Sequence, residues 1–215
     1  MHALFRYAKL FLYLALLVSG SGCGVKPDHQ PIAAGSSVLA IGDSVTYGTG
    51  AAAAQDYPNQ LAARTDWVIH NYGVPGETSA GIRNRIEGAL ADTRPELVLL
   101  EIGGNDFIRR VPNSAIKENI RATLRQIKAR GIPVVLIAVP QFSPLGMIFG
   151  NLPDAPLYAE LAAEEDVPLI PDVFADVLSD NHLKSDPIHP NDKGYQKMSE
   201  GFAERLMKIG FLESR

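Results

Sequence analysis

The sequence predicts an α/β fold, a three-layer α/β/α sandwich built around a mainly parallel sheet. Four short apolar runs bounded by turn residues are the candidate strands, at 38–41, 67–72, 97–102 and 134–139. Several of them are apolar throughout instead of alternating, which is typical of strands buried on both faces. Helical patterns lie between the runs, and strands that alternate with helices form right-handed βαβ units.

Three segments carry the helical pattern. The apolar residues that recur at helical spacing are Ile82, Ile86 and Leu90 in the first, Ile116, Ile120, Leu124 and Ile127 in the second, and Tyr195, Met198, Phe202, Leu206 and Ile209 in the third. The first and weakest pattern follows Thr78, and Asn191 is available as N-cap of the third. Gly131 and Pro133 end the second helix before the fourth run.

The composition is that of one globular domain with a core of its own. The chain has 215 residues, of which 46% are hydrophobic and 20% charged. The formal net charge is −4, and no run of lysine and arginine occurs. This charge pattern argues against a nucleic-acid partner.

The amino terminus has the pattern of an export signal. Arg6 and Lys9 precede an apolar run at 10–18, and small residues lead to Cys23, the only cysteine of the chain. We expect a signal peptide at 1–22, a tether at 23–36 and one domain at 37–215. Cys23 resembles the lipidated cysteine of bacterial lipoproteins, although Gly20 departs from that pattern. The resemblance implies an exported protein anchored to a membrane; ordinary secretion, to the periplasm or beyond, is the alternative.

Glycine and polar residues follow three of the four runs directly. The first run ends in Gly42, Asp43 and Ser44, the second continues into 71–76, and the third continues into 103–106. In open parallel sheets, sites form at the carboxyl ends of the strands. These three stretches are therefore where a site is expected.

Ser44 is the candidate nucleophile, and it needs a base to take its proton. Of the five histidines, His189 stands three residues after Asp186 and just before the last helix. An Asp-x-x-His turn lets the carboxylate hold one imidazole nitrogen and leaves the other free as base. His182 lies in a polar loop with no obvious orienting acid. Asp186 and His189 are therefore the candidate dyad for Ser44.

Acyl transfer also needs hydrogen-bond donors for the developing oxyanion. The candidates are the N–H of Ser44, the N–H of Gly73 and the side-chain amide of Asn105. Three further residues are expected to support the turns that carry these groups, namely Gly42, Asp43 and Gly104. Each feature alone has an ordinary interpretation as a turn, and their order at successive strand ends is what favours catalysis.

Together these residues resemble the SGNH, or GDSL, hydrolase family, over about residues 37 to 210. The matching blocks are Gly42-Asp43-Ser44, Gly73, Gly103-Gly104-Asn105-Asp106 and Asp186-Pro187-Ile188-His189-Pro190. The resemblance implies a flavodoxin-like fold with five strands, and catalysis by Ser44, His189 and Asp186. It implies an oxyanion hole of the Ser44 amide, Gly73 and Asn105, without cofactor or metal. It is closest to the branch of small secreted esterases, arylesterases, thioesterases and lysophospholipases.

The resemblance implies that the substrate is an ester or a thioester of a small molecule or a lipid. The segment 142–153 is apolar, rich in glycine and proline, and aperiodic, so it is expected to bind an acyl chain or to act as a lid or core plug. A carbohydrate O-acetylesterase of the same fold and a non-catalytic, lipid-anchored binding protein are alternatives. A metal-dependent hydrolase would need clustered ligands, for which His182, His189 and Asp186 are a thin set.

Overall fold

The structure of the chain is a computed structural model that describes residues 29–141, 146 and 150–213. The strands in these residues are β1 (Ser37–Gly42), β2 (Val68–Gly73), β3 (Leu97–Glu101), β4 (Val134–Ile137) and β5 (Leu169–Ile170). They form one sheet in the order β2-β1-β3-β4-β5, and every neighbouring pair is parallel. The predicted α/β fold is confirmed.

Eight helices with described bounds accompany the sheet: α1 (Ser44–Tyr47), α2 (Tyr57–Thr65), α3 (Ser79–Thr93), α4 (Gly104–Ile108), α5 (Asn113–Ala129), α6 (Leu157–Glu165), α7 (Val173–Ser179) and α8 (Asp192–Ile209). The three predicted helices are α3, α5 and α8, and Thr78 and Asn191 cap the first and last of them through their side chains. Helix α5 packs against α3 and α6, whereas α8 packs against α2 and α7.

The core lies on the central strands and on the apolar stripes of the helices. All residues of β3 and β4 are buried, as are those of β1 after Ser37. Strand β2 is half exposed because it is an edge of the sheet, so the expectation of burial on both faces does not extend to it. Ile116, Ile120 and Leu124 on α5 have no exposed surface.

The strand order places a topological switch at the centre of the sheet. From β1 the chain crosses to β2 on one side and then returns to β3 on the other. Ser44 follows β1 and Asn105 follows β3 at the same edge. Ligands of such sheets bind in the crevice at this point. The fold therefore brings two of the predicted site residues to the expected location.

The segment before β1 lies at the opposite end of the sheet. Ile32 N–H donates to Phe211 O at 2.9 Å, the indole of Trp67 donates to Ile32 O at 3.2 Å, and His29 stacks on Phe211. The predicted signal peptide, Cys23 and the tether up to residue 28 lie outside the described residues. Among the residues that the structure describes, no helix is both long and apolar enough to cross a membrane.

Gly42 ends β1 where no side chain fits. A Cβ there would lie 2.0 Å from Thr46 Oγ1 and 2.5 Å from the carbonyl oxygen of Glu101, and a backbone atom cannot move away easily. We expect Gly42→Ala to lower the free energy of unfolding by about 1–3 kcal/mol, as overpacking does. Urea unfolding monitored by circular dichroism measures this.

Gly88 provides the matched control for that substitution. It lies within α3, and a Cβ there would meet nothing within 4 Å. Gly88→Ala is therefore expected to raise the free energy of unfolding by about 0.5–1 kcal/mol through helix propensity. Equal stability of Gly42→Ala and the unchanged chain would contradict the packing argument.

Candidate active site

Ser44 begins helix α1 immediately after β1. The preceding Asp43 is the N-cap, and its Oδ1 accepts a hydrogen bond from Val45 N–H at 3.0 Å. This bond holds the sharp turn from strand to helix and keeps Ser44 at the strand end. Asp43 thus holds the turn, and Gly42 is the last residue of the strand before it. The N–H of Ser44 has no acceptor among the described residues.

The structure brings Ser44, His189 and Asp186 together. Ser44 Oγ lies 2.9 Å from His189 Nε2, and His189 Nδ1 lies 2.7 Å from Asp186 Oδ2. These are hydrogen-bond distances for a nucleophile, a base and the group that orients the base. The two loop residues precede α8, so they reach Ser44 from a separate part of the chain.

Asp186 is held by its own turn. Its Oδ1 accepts hydrogen bonds from the N–H groups of Ile188 and His189, each at 2.9 Å. Partial burial acts to raise the pKa of Asp186, but the hydrogen bonds from the His189 ring and the Ile188 amide together outweigh it, so the pKa is lowered. An ionised Asp186 keeps a proton on His189 Nδ1 and leaves Nε2 free to accept one from Ser44.

Asn105 reaches the site from α4. The helix begins at Gly104, after Gly103 with a φ of +127°, where a Cβ would lie 2.3 Å from the Tyr158 hydroxyl. Asn105 Nδ2 donates to Asp43 Oδ2 at 3.1 Å, which leaves its second hydrogen for another acceptor. Asn105 and Gly104 both line the cavity beside Ser44.

Gly73 does not present the free N–H that the sequence analysis expected. Its N–H donates to Asn71 Oδ1 at 2.9 Å, and a Cβ at Gly73 would lie 2.0 Å from Tyr47 N. Glycine is needed here because α1 approaches β2 closely. Three residues further on, Gly76 has a φ of +80°, and its N–H has no acceptor among the described residues. Its carbonyl accepts from Arg109 at 2.9 Å, which holds this loop beside α4.

Sequence reasoning missed Glu101, the last residue of β3. Its side chain is completely buried, and Oε2 accepts a hydrogen bond from Thr46 Oγ1 at 3.0 Å. It also lines the cavity beside Ser44. The available signal was an acidic residue ending an apolar strand directly before Gly103 and Gly104, since a carboxyl group is rarely buried without a reason.

The cavity at Ser44 is narrow and its surroundings are apolar. Its volume is about 20 Å³, and besides the polar residues its lining includes Val45, Ile108, Phe174 and Ile188. The exposed large hydrophobic side chains of the described residues are Tyr47, Val68, Val74, Ile108 and Met207. Ile108 lines the cavity, and Tyr47 and Val74 follow β1 and β2 at the same end of the sheet; we call these three the apolar rim. Of the segment 142–153, residues 142–145 and 147–149 lie outside the described residues. In the part of the chain that is described, no three His, Cys, Asp or Glu side chains cluster to hold a metal.

Comparisons with known proteins identify the family of the chain. The model of the GDSL-like lipase/acylhydrolase family matches residues 40–197. The chain is 30% identical over 186 residues to "Esterase TesA" of Pseudomonas aeruginosa, covering 82% of this chain and 89% of that protein. It is 27% identical over 208 residues to "Thioesterase 1/protease 1/lysophospholipase L1" of Escherichia coli K12, covering 95% and 94%. The crystal structure of TesA superimposes with a TM-score of 0.70 at 26% identity, covering 80% of this chain and 98% of that one.

Proposed function

Because the chain belongs to the GDSL-like lipase/acylhydrolase family and is an ester hydrolase, we propose that it cleaves carboxylic esters or thioesters through an acyl-enzyme on Ser44. The observation that carries the proposal is the continuous chain of hydrogen bonds from Ser44 Oγ through His189 to Asp186. Such a chain lets a neutral hydroxyl act as a nucleophile at neutral pH.

The reaction takes two steps, and in each of them His189 first accepts a proton and then gives it up. Ser44 Oγ attacks the acyl carbon while its proton moves to His189 Nε2, and the oxyanion intermediate then expels the alcohol or thiol, which takes that proton. Water next attacks the acyl-enzyme, gives a proton to His189 and releases the carboxylic acid, and Ser44 recovers its proton. Asp186 stays ionised throughout and stabilises the imidazolium that forms in each step.

The oxyanion needs donors that are free before substrate binds. The N–H of Ser44 and the second hydrogen of Asn105 Nδ2 meet this condition. Gly73, the third donor that the sequence analysis expected, could donate only if the Asn71 side chain released its N–H. The free N–H of Gly76, in the loop that Arg109 holds beside α4, is the better candidate for the third donor.

The apolar rim favours substrates with an acyl or aryl group over esters of sugars. A cavity of about 20 Å³ has room for about one water molecule, so a longer acyl chain would have to lie along the rim formed by Tyr47, Val74 and Ile108. A carbohydrate O-acetylesterase would present polar groups there for the hydroxyls of the sugar. From the sequence alone, we also propose that the protein is exported and anchored to a membrane through Cys23.

A panel of p-nitrophenyl esters of increasing acyl length tests the proposal. The full chain is expected to hydrolyse them, and Ser44→Ala should not. An optimum at acetate would favour an acetylesterase, and an optimum at longer chains would favour binding along the rim. A folded chain that hydrolyses none of these esters would contradict the proposal and favour a binding protein, unless acetylated sugars were cleaved.

A chelator separates this mechanism from a metal-dependent one. Every proton transfer proposed above runs through His189, which the ionised Asp186 orients, so EDTA is expected to leave kcat unchanged. Loss of activity with EDTA, restored by a divalent cation, would replace the serine mechanism by metal-assisted hydrolysis.

A further inference from the structure

Glu101 is a buried carboxyl group that the mechanism above does not use. It has no exposed surface, and Thr46 Oγ1 donates to its Oε2. Among the described residues, Oε1 receives no hydrogen bond from any donor. The carboxyl group of Glu101 lies within hydrogen-bonding range of that of Asp43, which is also buried. Both residues line the cavity beside Ser44, so two acidic groups lie next to each other at the site.

The pair can be stable only if it holds a proton. Two adjacent carboxylates in a dry environment cannot both be ionised, because burial and mutual repulsion disfavour the second charge. Burial and the charge of Asp43 raise the pKa of Glu101 well above its usual range, whereas burial raises that of Asp43 only to about 6. Asp43 is the better anion because it accepts from Val45 N–H and from Asn105 Nδ2. At neutral pH the proton therefore resides on Glu101.

The hydrogen bonds already on Glu101 determine which of its oxygens donates. The hydroxyl oxygens of Tyr57 and Thr46 lie 2.9 Å apart, and the Thr46 hydroxyl donates a hydrogen bond to Oε2 of Glu101. Oε2 is thus an acceptor, and Oε1, which has no donor, is the oxygen that can carry the proton toward Asp43. This assignment satisfies every polar atom of the group, as buried groups require.

We propose that Glu101 is a positioning residue for the hydrolysis, whose protonated carboxyl group donates to Asp43 and thereby fixes the turn of Ser44 and the amide of Asn105. Asp43 connects these groups, because one of its oxygens holds Val45 N–H and the other holds Asn105 Nδ2. Without a donor from Glu101, the Asp43 carboxylate is held by these two bonds alone, and the turn of Ser44 and the amide of Asn105 are oriented less rigidly. The inference rests on the proposed roles of Ser44 and Asn105.

Two substitutions of Glu101 distinguish positioning from packing. Glu101→Gln keeps an oxygen for Thr46 and supplies an N–H₂ group for Asp43, so it is expected to retain kcat within about threefold. Glu101→Leu keeps most of the volume but donates nothing, and we expect kcat to fall about 10- to 100-fold with KM changed less than about threefold, since small displacements of catalytic groups have effects of this size. The measurements are kcat and KM on a p-nitrophenyl ester that the full chain cleaves, together with urea unfolding.

Stability is the readout that separates the two interpretations. Removing one partner of a buried hydrogen bond usually lowers stability, and Glu101→Leu leaves Thr46 and Asp43 each without one, so its urea midpoint is expected to fall. A variant that is slower per folded molecule, in assays far below that midpoint, supports positioning. Glu165→Gln is the matched control, because Glu165 is also a buried glutamate but pairs with Arg121 and Arg125 on α5. It should lower stability and leave kcat unchanged.

Three outcomes would overturn the inference. They are a Glu101→Leu variant with unchanged kcat, a Glu101→Gln variant as slow as Glu101→Leu, and a loss of kcat in Glu101→Leu that merely follows a loss of folded protein. Ser44→Ala is measured in the same series. If Ser44→Ala retained activity, the proposed function itself would fail; if it lost activity while Glu101→Leu did not, only the role of Glu101 would fail.

Discussion

Replacing Ser44 or His189 by alanine is expected to lower kcat by about 10⁴- to 10⁶-fold, the largest effect of any single substitution in this chain. Without Ser44 Oγ no acyl-enzyme forms, and without His189 the hydroxyl keeps its proton. The 2.9 Å contact between the two groups makes them one unit, so the double variant should be scarcely slower than either single variant. Steady-state kinetics on p-nitrophenyl esters measure all three.

His182 supplies the control for that experiment. It lies in the same loop region as His189, is exposed, and contributes its backbone carbonyl to Asn191. His182→Ala is expected to retain kcat within about twofold, and all variants should unfold at similar urea concentrations. Losses in the single variants that add up in the double variant would show that Ser44 and His189 do not act together.

Asn105→Ala is expected to lower kcat by about 10²- to 10³-fold and to leave KM nearly unchanged. This is the usual cost of removing one side-chain donor from an oxyanion hole, because the donor is needed in the transition state more than in the ground state. The same ester assay measures it. Asn119→Ala is the control, since that half-buried amide lies on α5 and hydrogen-bonds Ser79 Oγ at 3.2 Å. A change confined to KM would assign Asn105 to substrate binding instead.

The proximity of Ser44, His189 and Asp186 was predictable because each of them belongs to a short local motif. Asp186 and His189 are three residues apart, and Ser44 follows a recognisable buried strand, so the fold had only to bring the loop before α8 to the end of β1. The N-caps Thr78 and Asn191 were predictable for the same reason. Strand β5 could not be located because it has two residues, Leu169 and Ile170, too few for a periodic pattern.

The oxyanion hole was less predictable because it depends on contacts between distant residues. Whether the N–H of Gly73 is free depends on the side chain of Asn71 and on the approach of α1, and neither follows from the sequence of the loop. Glu101 was overlooked because strand patterns are evaluated by their apolar residues. Its burial follows from the position of β3 inside the sheet, and its partner Asp43 is far away in the sequence.

The amino-terminal segment and Ser44 lie at opposite ends of the sheet. Residues 29–36 lie against Phe211 and Trp67 at the amino ends of the strands, while Ser44 lies at the carboxyl ends. The six residues of β1 alone separate these two ends by about 20 Å. A lipid or an affinity resin attached close to residue 29 is therefore expected to hold the protein by the end of the sheet opposite to Ser44. Substrates then arrive from the surrounding solution, and the enzyme would remain active when immobilised through its amino terminus.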